Sequence, residues 1–252
     1  MWLTRYNRVT MVTWSSRLMS LLVVSLLLAC SPSVVAEMVG SPAGILKKGK
    51  WVMGLSGGGT TGRQMSGDGQ TTLYHGSHYR GYGPTDRVSL YLKLGAASIK
   101  IDDPGIIKAN NPSTTNNFGG NFMTGVQLKG KLFESPRWRW EWDGSLQYLD
   151  IHTRHKNKNE LRWHEWQIAT SVAKELGRVK PYIGVKYSLT DVLYRVRQNG
   201  KLLKQGHYHE QTRVGLFLGT DYYFGDSEDV ILNLESAYQD GPEFLVSLAY
   251  TF

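Results

Sequence analysis

The stretch WRWEWDGSLQY, residues 138–148, decides the fold. Trp138, Trp140, Trp142, Gly144, Leu146 and Tyr148 fall on one parity, and Arg139, Glu141, Asp143, Ser145 and Gln147 on the other. A period of two is the mark of an extended strand with opposed faces, because successive side chains point to opposite sides of the pleat. Three tryptophans on one face and both signs of charge on the other make the two faces suited to different solvents. The chain ends in the same way, with FLVSLAYTF at residues 244–252. There Phe244, Val246, Leu248, Tyr250 and Phe252 alternate with Leu245, Ser247, Ala249 and Thr251. Val88, Leu90, Leu92 and Leu94 oppose Ser89, Tyr91, Lys93 and Gly95, and Val214, Leu216 and Leu218 repeat the pattern.

Working outward from these stretches predicts ten strands, near 50–59, 70–81, 87–101, 119–132, 137–152, 161–175, 181–196, 207–224, 229–238 and 243–252. Without the first two the count is eight, and both counts are even, as a barrel with both termini on one side of a membrane requires. The links sort by parity. Those at 60–69, 102–118, 153–160 and 197–206 are long, although the last of that parity, 239–242, is short. Those at 82–86, 133–136, 177–180 and 225–228 are tight and rich in turn residues. A soluble sandwich has no reason to sort its links in this way. Aromatics gather at both ends of the strands: Trp51, Trp138, Tyr222, Phe224, Tyr250 and Phe252 at one, Tyr74, Phe122, Tyr148, Trp166, Tyr238 and Phe244 at the other. Two belts are expected where amphipathic rings meet lipid headgroups. The fold class is therefore all-β: a closed antiparallel transmembrane β-barrel of ten strands, eight as the alternative, occupying residues 50–252.

The N-terminus reads as an export signal. Arg5, Arg8 and Arg17 precede an apolar run from Leu18 to Ala29, which is short for a bilayer span, and Val34-Val35-Ala36 offers a cleavage site. Residues 1–36 are expected to be a cleaved signal peptide and 37–49 a short periplasmic lead. Leu27-Leu28-Ala29-Cys30 also resembles a lipobox, so lipidation at Cys30 is the competing reading. No apolar stretch after residue 36 is as long as a membrane helix. The net charge of +8 is mild once the three leader arginines are set aside, and it suits phosphate-rich headgroups better than nucleic acid.

A chain of alternating strands ending in Phe244, Val246, Leu248, Tyr250 and Phe252 resembles the small outer-membrane barrels of Gram-negative bacteria, the opacity-protein and OmpA-type superfamily in the broad sense. That resemblance implies location in the cell outer membrane, contact with outer-membrane lipid and lipopolysaccharide, and a C-terminal strand read by the barrel-assembly machinery. It implies fold and location far more than activity.

The inward face is expected to carry a lumen charge network of Lys93, Lys129, Lys131, Arg139, Glu141, Asp143, Glu165, Lys186, Arg213, Asp221 and Glu235, with Gln127, Gln147 and Gln167 among them. A tight turn at 133–136 would put Lys129 opposite Glu141, with Lys131 on its diagonal. Opposite charges in a narrow lumen most simply neutralise one another; a narrow path for small solutes through them is the alternative. Lys156, Lys158, Arg162, Arg195, Arg197, Lys201 and Lys204 crowd two consecutive outer loops and suit lipopolysaccharide phosphates or another extracellular polyanion. His207 and His209 share a strand face, but further metal ligands cannot be placed, so no metal and no cofactor are expected. Omptin-like proteases and lipid A deacylases place histidines at the rims of similar barrels. Asp150 and His152 match that pattern only as one pair, so a rim enzyme acting on lipid A or peptide is a second alternative to a structural or surface-interaction role without catalysis.

Overall fold

The computed structural model describes residues 44–66, 69–102, 116–152, 160–198, 201–225 and 228–252. The expected signal peptide, Cys30, and residues 37–43 of the lead lie outside them. The strands are β1 (Trp51–Gln64), β2 (Gln70–Thr85), β3 (Val88–Asp102), β4 (Asn116–Ser135), β5 (Trp140–His152), β6 (Glu160–Lys174), β7 (Val179–Gln198), β8 (Lys201–His209), β9 (Val214–Phe224), β10 (Val230–Tyr238) and β11 (Pro242–Thr251). All pairings between strands are antiparallel. Each of β1 to β7 pairs with the next, β7 with β9, β9 with β10, β10 with β11, and β11 returns to β1. Trp51 and Phe252 exchange backbone hydrogen bonds of 3.0 and 2.9 Å at that seam. The circuit has ten wall positions and closes on itself through β1 and β11, which is how a sheet satisfies its backbone where no water is available.

Eleven strands fill ten positions because β8 and β9 share one. Asp191–Gln198 of β7 pair with β8, and Val179–Tyr187 of β7 pair with β9. The strand expected at 207–224 is thus broken at Glu210–Arg213, and most of the loop expected at 197–206 is paired strand. Gln198 pairs with Lys201, and the sequence between them is Asn-Gly, a dipeptide that favours short hairpins. The turn expected at 133–136 also moves. Its tip is Pro136–Arg139, with Arg139 at φ 55°, and a bulge separates Lys131 from Phe133. Lys129 therefore faces Ser145, and Lys131 faces Asp143.

The wall carries an inversion of its pattern. On β5 the outward residues run Trp142, Leu146, Tyr148 and then Asp150, His152, while the inward ones run Asp143, Ser145, Gln147 and then Leu149, Ile151. On β6, from the other direction, Arg162 and His164 point outward before Trp166 and Ile168, and Leu161 and Trp163 point inward before Glu165 and Gln167. On β7 the change falls between Leu189 and Asp191 outside and between Thr190 and Val192 inside. Below this line the wall is apolar outside, and within it carries buried charged groups such as Asp143, Lys186 and Glu235 beside an apolar cluster of Ala169, Ala173, Tyr182, Phe217, Ala237 and Leu245; above it the wall has the polarity of a soluble β-protein. A lipid-facing band gives way there to strands that continue into water. The expectation of a polar interior thus holds only up to this line. Beyond it lies a buried apolar core of Met65, Leu73, Ile99, Ile101, Met123, Leu149, Ile151, Leu161, Trp163, Val192, Tyr194 and Tyr208.

At the end where β1 begins and β11 finishes, residues 44–49 enter the mouth. Leu46 N–H donates to Ser89 Oγ at 2.8 Å, Lys48 N–H to Asp86 Oδ1 at 2.9 Å, and Gly49 N–H to Gly83 O at 2.8 Å. The Leu46 side chain is buried against Val52, Tyr91 and Ala249.

Candidate functional site

The centre of the lumen is organised by a residue that the alternation of β1 places in a loop. β1 bulges between Thr60 and Arg63, and Gly62 takes φ 64° in the left-handed region. The extra residue turns Arg63 inward, where it is 2% exposed. Its Nη2 donates to Glu165 Oε1 at 3.0 Å, Ser188 Oγ at 3.0 Å and Thr190 Oγ1 at 3.1 Å. Its Nε donates to Glu210 Oε1 at 3.0 Å, and the guanidinium forms a second, closer contact with the same carboxylate. Gln239 Nε2 donates to Glu210 Oε1 and to Ser188 Oγ, both at 2.7 Å. Trp163 Nε1 donates to Glu165 Oε2 at 2.9 Å, and the Arg63 guanidinium carbon lies 5.7 Å from the Trp163 ring centre. β1, β6 and β7 are thereby tied across the lumen, together with Glu210 in the break after β8 and Gln239 just beyond β10. The apolar core sits directly above.

Below this layer the expected network forms a set of local pairs. Lys186 pairs with Glu243, and Lys180 with Glu141, which also lies 3.4 Å from Lys131. Lys93 donates to Gln147 at 2.6 Å. Tyr182 OH donates to Glu235 at 2.5 Å, and Asn233 joins Tyr182 to Asp221 at 2.8 and 2.7 Å. Lys129 stands over the Tyr91 ring at 4.6 Å, and Asp143 is fully buried. A cavity of about 420 Å³ runs from the lead to His75 and Leu245, past Lys93, Lys129, Asp221 and Asn233. Two expected members lie elsewhere. Arg139 is in the β4–β5 turn, 58% exposed and 3.5 Å from Glu175, because the hairpin turns at 136–139. Arg213 sits in the break between β8 and β9, on the outer wall, where its Nη1 is 3.4 Å from the Tyr187 hydroxyl. Glu210, Gln239 and Glu243 were missed with Arg63. Gln239 falls in the link expected at 239–242, where a reading by strand faces assigns no side, and Glu210 falls in the strand expected at 207–224 on the outward parity of Val214, Leu216 and Leu218, whereas the break after β8 leaves it buried.

Of the expected basic patch, Lys156 and Lys158 lie outside the described residues, and for Arg197, Lys201 and Lys204 only the backbone is described. Arg162 and Arg195 point outward above the inversion line. Arg195 lies 3.4 Å from Glu160 and donates to Gln205 at 3.3 Å.

The outer wall at the inversion line carries a cross-strand row. Asp150 of β5 is directly opposite His164 of β6, His164 opposite Asp191 of β7, and Asp191 opposite His209 of β8. His164 Nδ1 lies 3.1 Å from both Asp150 Oδ1 and the Tyr148 hydroxyl, and His152 Nδ1 lies 3.4 Å from Asp150 Oδ2. The sequence pair Asp150–His152 thus gains a second imidazole. His207 Nε2 donates to Asp191 Oδ1, and His209 Nδ1 is 3.8 Å from the same oxygen.

No protein-family model matches the chain, and no curated protein matches it in sequence. Among solved structures it is similar to the outer membrane protease OmpT of Escherichia coli, at 10% identity and TM-score 0.42, over 81% of this chain and 94% of that one. It is also similar to OprG of Pseudomonas aeruginosa, at 10% identity and TM-score 0.42, over 86% and 99% of the two chains. A third is Ail, the attachment invasion locus protein of Yersinia pestis, at 7% identity and TM-score 0.38, over 82% and 100%. The wall itself carries the assignment. Leu55, Ile168, Ile183, Leu216 and Leu218 are 57–64% exposed on the outside, while Asp143, Glu165, Lys186, Asp221 and Glu235 are buried within, and the ring of strands is closed. The chain folds as a closed antiparallel β-barrel of ten wall positions with the wall of a membrane-spanning barrel.

Proposed function

We propose that the protein is a closed, non-conducting barrel whose role is structural and surface-directed, without catalysis. The observation that carries this reading is the double seal: the Arg63 layer spans the lumen, and a buried apolar core from Met65 to Tyr208 fills the space above it. A hydrated ion crossing that core would forgo its water without replacement partners, which is prohibitive in an apolar medium. The cavity at the terminal mouth is a vestibule behind that seal. The test is planar-bilayer recording of the refolded chain. The expected result is no stepwise conductance. Stable ohmic steps would sink the reading and favour the narrow-channel alternative.

The surface role is directed at lipopolysaccharide. Support comes from strands that continue past the lipid band, with Arg162 and Arg195 on their outer face. The sequence adds Lys156 and Lys158 between β5 and β6, and Arg197, Lys201 and Lys204 in β7 and β8. Phosphates at the membrane surface suit such donors. Replacing Lys156, Lys158, Lys201 and Lys204 with glutamine is expected to weaken binding to purified lipopolysaccharide at least tenfold at low salt. Unchanged binding removes the idea. In the same reading Phe244, Val246, Leu248 and Tyr250 on the outer face of β11, with Phe252 just beyond its end, serve as the signal for the barrel-assembly machinery.

A further inference from the structure

We propose that Asp191, His207 and His209 form a binding site for a divalent transition metal of the Zn²⁺ class on the outer wall. β8 places the two histidines two residues apart, hence on one face, and its pairing with β7 sets Asp191 directly across from His209. One ligand atom from each of the three residues lies within 4.8 Å of the others. In a tetrahedral site with bonds of about 2.0–2.1 Å, neighbouring ligand atoms stand roughly 3.3 Å apart. Small rotamer changes therefore close the existing triangle around an ion. Side chains that are 49–59% exposed have the freedom to make them.

Two nitrogens and one carboxylate oxygen favour Zn²⁺, Ni²⁺ or Cu²⁺ over Mg²⁺ and Ca²⁺, which prefer sets of oxygens. Asp191 and His209 also line a hollow of about 410 Å³ that leaves room for a further ligand such as water. The ion would bridge β8 to β7. The structure gives that bridge a use. Among the described residues β8 pairs along only one edge, apart from a single bridge between Met65 and Glu210.

A plain ion pair between Asp191 and protonated imidazoles is the competing account, and pH separates the two. The ion pair needs protonated imidazoles and strengthens as pH falls, whereas metal binding needs neutral ones and strengthens as pH rises. The experiment is titration of the full refolded barrel in detergent micelles with Co²⁺ alone, followed by its visible absorption, and with Zn²⁺ by calorimetry. One ion per chain is expected, with tighter binding at pH 7.5 than at pH 5.5. His207→Ala and His209→Ala should each weaken it at least tenfold. His78→Ala, on the outer face of β2, should leave it unchanged. Heat-modifiable migration on gels establishes that each variant is folded. Absence of binding, or binding that survives both histidine variants, overturns the proposal.

Discussion

Arg63 is a single charge held by two carboxylates where almost no water reaches. Burying three charged groups costs desolvation that their mutual attraction only roughly offsets, so the triad is weak evidence for stability in itself. Removing one partner is a different matter, because the remainder is then stranded. Arg63→Ala leaves Glu165 and Glu210 facing each other without a cation. It should lower the unfolding free energy by about 3–5 kcal/mol, read by urea unfolding of the barrel in micelles. The triple variant R63L/E165Q/E210Q should recover part of the loss. If R63A unfolds at the wild-type urea midpoint, the triad does not hold the lumen together. Gly62 makes the triad possible. A side chain at φ 64° costs about 1–2 kcal/mol, so Gly62→Ala should destabilise by that amount although nothing lies within 4 Å of the added carbon. Neither residue was legible in the sequence. A bulge moves a side chain from one face to the other, and alternation alone cannot announce the extra residue that does so.

At the scale of the strand, the telling feature is the change of phase at Tyr148/Asp150, His164/Trp166 and Leu189/Asp191. The letters record it: Leu149-Asp150-Ile151-His152 and Leu161-Arg162-Trp163-His164 alternate as cleanly as WRWEWDGSLQY does, with the apolar residues on the opposite parity. Reading apolar as outward along the whole strand concealed it. The same assumption left the core of Leu149, Ile151, Leu161, Trp163 and Val192 unforeseen, while the ten wall positions and the charged lower lumen followed directly from alternation. The inversion predicts a sharp dependence on depth along one strand. Ile168 is 59% exposed within the band, and a lysine there should cost about 2–4 kcal/mol. His164 faces outward four residues away, at the line, and a lysine there should cost at most about 1 kcal/mol. Unfolding of I168K and H164K from lipid bilayers checks the pair. Equal losses would mean that the band does not end where the pattern changes.

For the whole molecule, closure and inversion together make one object with two solvents. The lower half is a membrane barrel whose filling holds the buried charges. The upper half is a water-facing barrel with an apolar filling, and the Arg63 layer is the floor between them. Tryptophans sample both regimes. Trp51, Trp140, Trp142 and Trp166 are 41–50% exposed on the outer wall, whereas Trp163 is fully buried three residues from Trp166 on β6. Lipids carrying bromine on their acyl chains quench only the indoles they touch. Two variants therefore read the architecture directly, each keeping one tryptophan of residues 44–252 and replacing the others there with phenylalanine. The chain keeping Trp166 should be strongly quenched in brominated bilayers and the chain keeping Trp163 barely at all. Acrylamide, a water-borne quencher, should also leave Trp163 unaffected, because the seal that blocks ions blocks it too. Quenching of Trp163 by lipid would turn β6 inside out. Quenching by acrylamide alone would leave the wall as described but open the lumen, and the closed-barrel reading would fall with it.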